Sequence, residues 1–183
     1  MWHVCPRSMR CRFSVWVFGV LWTVAVPALA DEGQKGSVKG RVTVMRSGTP
    51  KGDLSGVVVY LETGTALPAA PAVPHTVKQK ELAFEPAVSA IVKGTTVEFP
   101  NEDHVFHNVF SVSETAKFDL GLYKAGSSKS VKFQKAGVVD VFCNIHPQMV
   151  ARVKVLDTPH YAITGKDGSF TIWKGPIMGT DGK

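Results

Sequence analysis

Cys143, His146 and Met149 stand three residues apart in the stretch 141–150, VFCNIHPQMV. A thiolate, an imidazole and a thioether form a soft donor set. Soft sulfur ligands suit copper, and two histidines, one cysteine and a weakly bound methionine make the type 1, or blue-copper, electron-transfer site. The stretch is one histidine short of that set. The best supply is 102–110, EDHVFHNVF, where His104 and His107 both qualify by type. His107 opens an alternating run, HNVFSV, and is followed directly by Asn108; His104 lies in the turn after Pro100-Asn101.

Other chemistries fit the same residues less well. A nucleophilic cysteine needs a base and an oxyanion site, and Cys143 with His146 on one tight loop does not resemble a known dyad. Zinc through Cys143, His146, His107 and His104 is conceivable, but a thioether is a poor zinc ligand. A multicopper oxidase needs several such domains and extra histidines, and Phe142-Cys143-Asn144 lacks the histidines beside the cysteine. A copper nitrite reductase needs a second metal site, for which no ligand set is evident. Taken singly, Cys143 reads as a buried thiol and Met149 as a core residue. His75 and His160 lie in proline-containing segments and read as solvated.

The compartment bears on the thiol. Residues 1–12 carry three arginines and no acid, residues 13–30 are apolar apart from Ser14 and Thr23, and the run closes on Ala28-Leu29-Ala30. This is the pattern of a secretory signal peptide cut after Ala30; the rival is an uncleaved membrane anchor, since 18 residues is near the lower length for a span. Cys5 and Cys11 leave with the cleaved peptide, so Cys143 is the one cysteine of the exported chain and has no internal disulfide partner. Three of the 21 basic residues and none of the 15 acidic ones fall in residues 1–30, so the net charge of +6 drops to +3 beyond Ala30. That excess gives no reason to expect a nucleic-acid partner. No later segment is long and apolar enough to span a membrane.

The elements that must position the donors read as short strands. Candidates are 38–45, 57–62, 82–84, 88–92, 95–99, 107–112, 118–123, 129–134, 138–143 and 151–156. Several alternate apolar with polar, as half-buried strands do, and Gly and Pro punctuate the joints. No stretch after residue 30 sustains a helical period. Short strands at regular spacing predict an all-β antiparallel sandwich. Cys143 falls at the end of VVDVFC. Pro147 in the following loop turns the chain sharply, so the loop can fold Cys143, His146 and Met149 around one point. Residues 64–76, GTALPAAPAVPHT, read as an extended surface loop. Asp167-Gly168 between YAIT and SFTIW reads as a hairpin turn.

His107-Asn108-Val109 followed 36 residues later by Cys143-x-x-His146-x-x-Met149 resembles the cupredoxins. The short loop is similar to amicyanin. The wider pattern, QKELAFEPAVSAIVKGTTVEFPNEDHVFHNVFS, FDLGLYKAGSSKSVKF and VVDVFCNIHPQM, resembles plastocyanin-like proteins often labelled methylamine-utilisation proteins. It covers roughly residues 36–160.

The resemblance implies a Greek-key β-sandwich, cupredoxin-like, over residues 31–157, with 158–183 as a short C-terminal hairpin appendage. It implies one copper ion held by His107, Cys143 and His146 in the plane and Met149 on the axis, with His104 the weaker candidate. Asn108 would place its backbone N–H against the cysteine sulfur. The implied activity is one-electron transfer in the periplasm, without catalysis. The implied partners are redox proteins such as a c-type cytochrome or a dehydrogenase, met by a monomer with no nucleic acid and no membrane after cleavage. A copper carrier or store without fast electron transfer is the alternative.

Overall fold

The computed structural model describes residues 36–46, 49–50, 52–62 and 71–174. The expected signal peptide, most of the proline-rich loop and the last nine residues lie outside the described residues. Among the described residues the secondary structure is all strand, and no helix is long and apolar enough to cross a membrane.

Two sheets face each other across the core. The larger runs in the order Ala116–Tyr123, His107–Ser113, Gly137–Phe142, Val150–Leu156, Val88–Val92. Its pairings are antiparallel except the last, where Val150–Leu156 lies parallel to Val88–Val92. The smaller sheet runs Ser128–Lys132, Thr96–Pro100, His75–Thr76. Along the chain, Val88–Val92, Thr96–Pro100 and His107–Ser113 alternate between the sheets, as do Ala116–Tyr123, Ser128–Lys132 and Gly137–Phe142, which gives the sandwich its Greek-key character.

Alternation sets the register. In Val150–Leu156, Ala151, Val153 and Val155 point inward and are buried, while Val150 and Arg152 stay exposed. Val97 and Phe99 meet Val109, Val139, Val141 and Val153 in one core cluster with Phe133. Phe99 is fully buried, and removing a side chain of this size from water contributes about 1.5–3 kcal/mol. A slip by one residue would turn each of these side chains to solvent.

The proline-rich loop ends earlier than expected. His75–Thr76 is a strand, paired parallel to Val97-Glu98. His75 is half-buried, with its ring Nε2 2.9 Å from Ser89 Oγ, so the reading of a solvated histidine is corrected. Burial holds its pKa below the usual histidine value. His160 is also half-buried, its Nδ1 3.1 Å from the Trp173 carbonyl.

The C-terminal segment differs from a self-paired hairpin. Its turn forms at Asp167-Gly168, where Gly168 has φ of 76° and a Cβ would lie 2.3 Å from the Val42 carbonyl oxygen. The strands joined by that turn pair elsewhere. Tyr161–Ile163 is antiparallel to Val58–Tyr60, and Ser169–Lys174 to Gly36–Arg41. Those partners lie more than 100 residues upstream, and each offers an open strand edge, which unpaired backbone groups fill.

Candidate metal centre

His107, Cys143 and His146 come together at one end of the sandwich. Their donor atoms all lie within 4.8 Å of one another. Cys143 Sγ is 3.9 Å from His107 Nδ1 and 3.9 Å from His146 Nδ1, and the two Nδ1 atoms are 3.1 Å apart. An isosceles triangle of these sides has its centre about 2.1 Å from each corner, close to metal–nitrogen and metal–thiolate bond lengths of about 2.0–2.3 Å. The donors present therefore fit a single transition-metal ion of the size and softness of copper.

Each side chain is placed by a different device. Cys143 directly follows the Gly137–Phe142 strand and is buried and unpaired. The loop behind it is closed by its own backbone. The Met149 N–H donates to the His146 carbonyl at 2.9 Å, and the Cys143 N–H donates to the Met149 carbonyl at 3.3 Å. Pro147 sits inside this closure and is exposed. Met149 is fully buried in the core cluster, where its thioether adds packing to any weak bond it makes.

His107 opens the strand His107–Ser113 and is fully buried. A bulge lies next to it. Asn108 faces Leu122 and Phe110 faces Asp119, so Leu120 and Gly121 together oppose Val109. Gly121, the second of the two, has a positive φ of 64°, which glycine adopts without steric cost. Asp119 Oδ1 secures it, accepting from the Gly121 N–H at 2.8 Å and from Asn108 Nδ2 at 2.7 Å. Those two hydrogen bonds hold the Asp119 carboxyl below the ordinary aspartate value.

The loop ahead of His107 is built on Asn101, which is buried. Its Nδ2 donates to the Val105 and Tyr123 carbonyls at 2.8 and 3.3 Å, and its Oδ1 accepts from the Asp103 N–H at 3.0 Å. This delivers Asp103 Oδ2 to within 2.7 Å of His107 Nε2. The same carboxylate accepts the N–H groups of Glu81 and Leu82 at 2.6 and 3.1 Å. Burial pushes the Asp103 carboxyl up, but the bonds from His107, Leu82 and Glu81 outweigh it and hold it below the ordinary value. Sequence reasoning missed Asp103. The available signal was an acid four residues before a histidine that opens a strand.

His104 is exposed and stands outside the donor cluster. His146 is half-buried, its ring set edge-on to His107 with centroids 4.8 Å apart. Among the residues flanking the donors in the chain, Phe106 is 57% exposed, Ile145 46% and Val150 43%.

Residues 71–156 match the sequence profile of a family described as copper binding proteins, plastocyanin/azurin family. They are a cupredoxin domain. The domain has the family's β-sandwich, and its cofactor is one copper ion. Cupredoxins in general are electron-transfer proteins, typically periplasmic or extracellular. No curated protein matches the chain. Among solved structures, a Cu(I) form of an amicyanin mutant is 26% identical over 45% of this chain and 82% of its own, with a TM-score of 0.42. A purple cupredoxin from Nitrosopumilus maritimus is 26% identical over 45% of this chain and 99% of its own, at 0.41. A copper-containing nitrite reductase from Thermus scotoductus SA-01 is 28% identical over 54% of this chain and 25% of its own, at 0.45. The family assignment of the domain rests on the profile.

Proposed function

We propose that His107, Cys143, His146 and Met149 hold the copper ion and that the protein passes single electrons between redox partners in the periplasm. Residues 1–30 would direct export and be removed after Ala30. Residues 31–157 would form the copper domain and 158–183 its C-terminal extension. The carrying observation is the donor triangle: three soft and borderline donors at 3.1–3.9 Å from one another, buried or half-buried, two of them on a loop closed by its own hydrogen bonds and the third on the strand His107–Ser113. Copper supplies the exchange between its +1 and +2 states, and two imidazoles, a thiolate and a distant thioether serve both.

The chain's own residues do the rest. The strand end and the closed loop keep Cys143 and His146 in place through the exchange, so little of the protein has to move. The backbone N–H of Asn108 would support the Cys143 sulfur. The buried Met149 keeps water from the inner side. The half-buried His146 brings one ring edge towards solvent amid Phe106, Pro147 and Val150, and a partner would dock there. A c-type cytochrome or a dehydrogenase is the kind of partner such a surface would meet. The compact donor set favours electron transfer over copper delivery, because a delivery site must open to release its ion.

The test is to add Cu(II) to the purified protein and record the visible spectrum. The reading requires an intense thiolate-to-copper charge-transfer band that reduces and reoxidises reversibly and is abolished by Cys143→Ser. A folded protein without the band, or a band that survives Cys143→Ser, would overturn it. Tight Cu(I) with no stable Cu(II) form would favour the carrier of metal.

A further inference from the structure

We propose that Asp103, gripped by the Glu81-Leu82 turn, is the positioning residue of the copper site. It locks His107 in the tautomer that leaves Nδ1 bare and sets one negative charge behind that ligand. The proposal rests on the copper reading above for its effect on the metal, but not for its effect on the ring.

The hydrogen bonds determine the tautomer. A carboxylate only accepts, so the 2.7 Å contact between Asp103 Oδ2 and His107 Nε2 puts the ring proton on Nε2. In the neutral ring, Nδ1, which lies near Cys143 Sγ and His146 Nδ1, is then the lone pair a metal takes. His107 is fully buried, so water offers its ring no competing partner. Carboxylates behind metal-bound imidazoles orient the ring and raise its basicity.

The second observation is the turn that holds Asp103. Lys78–Lys80 and Ala83–Glu85 form a hairpin whose two connecting residues, Glu81 and Leu82, have φ of 53° and 57°. Two-residue turns of this kind normally use Asn-Gly, because a Cβ is disfavoured at positive φ. Here neither residue is of that type. Both backbone N–H groups face the Asp103 carboxylate, at 2.6 and 3.1 Å. Strain of this sort gathers at functional sites where the surroundings hold it in place. The hairpin is fixed to the ligand loop by other contacts as well. The Glu102 N–H donates to the Gln79 carbonyl at 2.9 Å, and Lys78 pairs with Glu102 at 3.4 Å. Loss of the Asp103 carboxylate therefore leaves the hairpin attached.

The test uses the full chain with Asp103→Asn, which keeps the size and one acceptor oxygen but removes the charge, and Asp103→Ala, which removes both. In metal-free protein, ¹⁵N NMR should show His107 protonated on Nε2 in the wild type and a mixture of tautomers in Asp103→Ala. With copper bound, Asp103→Asn should weaken Cu(II) binding at least tenfold relative to Cu(I), and the midpoint potential should rise by about 59 mV for each tenfold. The double variant Glu81→Asn, Leu82→Gly keeps both N–H donors in a relaxed turn and should leave the potential at the wild-type value. A wild-type tautomer in Asp103→Ala, or an unchanged potential in Asp103→Asn, would overturn the proposal. The tautomer experiment needs no metal. A wild type that gives the predicted tautomer but no charge-transfer band would count against the copper reading alone.

Discussion

The two histidines of the site sit 3.1 Å apart at their Nδ1 atoms yet belong to different kinds of structure. His107 is on a strand, fully buried, and its far nitrogen is held by Asp103. His146 is on a seven-residue loop, Cys143 to Met149, and is half-buried. One histidine is anchored from behind by a carboxylate; the other is placed by the tightness of its loop. A site that exchanges electrons with other molecules needs both, rigidity on one side and reach on the other.

The comparison breaks most clearly if the two ligands are deleted in turn. His107→Gly should destabilise the fold by roughly 2–5 kcal/mol, since it opens a buried cavity and strips Asp103 of a partner. His146→Gly should cost less than about 1 kcal/mol. Added imidazole should restore the charge-transfer band in His146→Gly at far lower concentration than in His107→Gly. Denaturant melts and imidazole titrations followed in the visible would read both, and equal rescue of the two variants would erase the distinction.

A smaller effect sharpens the outer side. Phe106→Lys adds charge at an exposed apolar position without touching a donor. Electron transfer with a partner should slow by about tenfold while the visible spectrum stays unchanged. Stopped-flow mixing with a c-type cytochrome measures this, and an unchanged rate with every partner tried would move the docking surface away from His146.

The smallest effect lies far from the copper. His75 has its pKa lowered by burial, so the unfolded chain takes up its proton first as the pH falls. The stability it contributes is fully present above the unfolded value of 6.5 and declines as the pH drops from there towards the folded value. The slope of melting temperature against pH below 6.5 should flatten in His75→Asn and should stay the same in variants of either copper-site histidine's neighbours, such as Phe106→Lys.

How much of this was legible beforehand depended on whether a feature announces itself by residue type. Cys143 and His146 did, because soft donors at loop spacing are uncommon, and His107 did because it opens an alternating strand; the structure brings these three together, while the Met149 thioether stays part of the proposal. The strands 88–92, 107–112 and 151–156 were legible from period-two burial, and the structure places them at Val88–Val92, His107–Ser113 and Val150–Leu156. Asp103 was not, because an acid after Pro100-Asn101 reads as an ordinary turn residue. The Glu81-Leu82 turn was hidden for a stronger reason: neither residue favours positive φ, so local propensity argued against it. His75 was misread because proline-rich flanks suggested solvent, whereas a two-residue parallel pairing drew it inward. The C-terminal strands were recognised as strands but given the wrong partner, since pairing across more than 100 residues leaves no trace in local pattern.

The ladder between Gly36–Arg41 and Ser169–Lys174 has a mechanical consequence. Gly36 lies opposite Lys174 and Arg41 opposite Ser169, so the two ends of the described chain leave side by side at the ladder's open end. Tension applied to both ends would therefore unzip this ribbon one residue pair at a time before any load reached the sandwich. Single-molecule pulling should record an early low-force step that leaves the visible band of the copper site intact. The ribbon would then act as a fuse, yielding first and sparing the donor cluster from load.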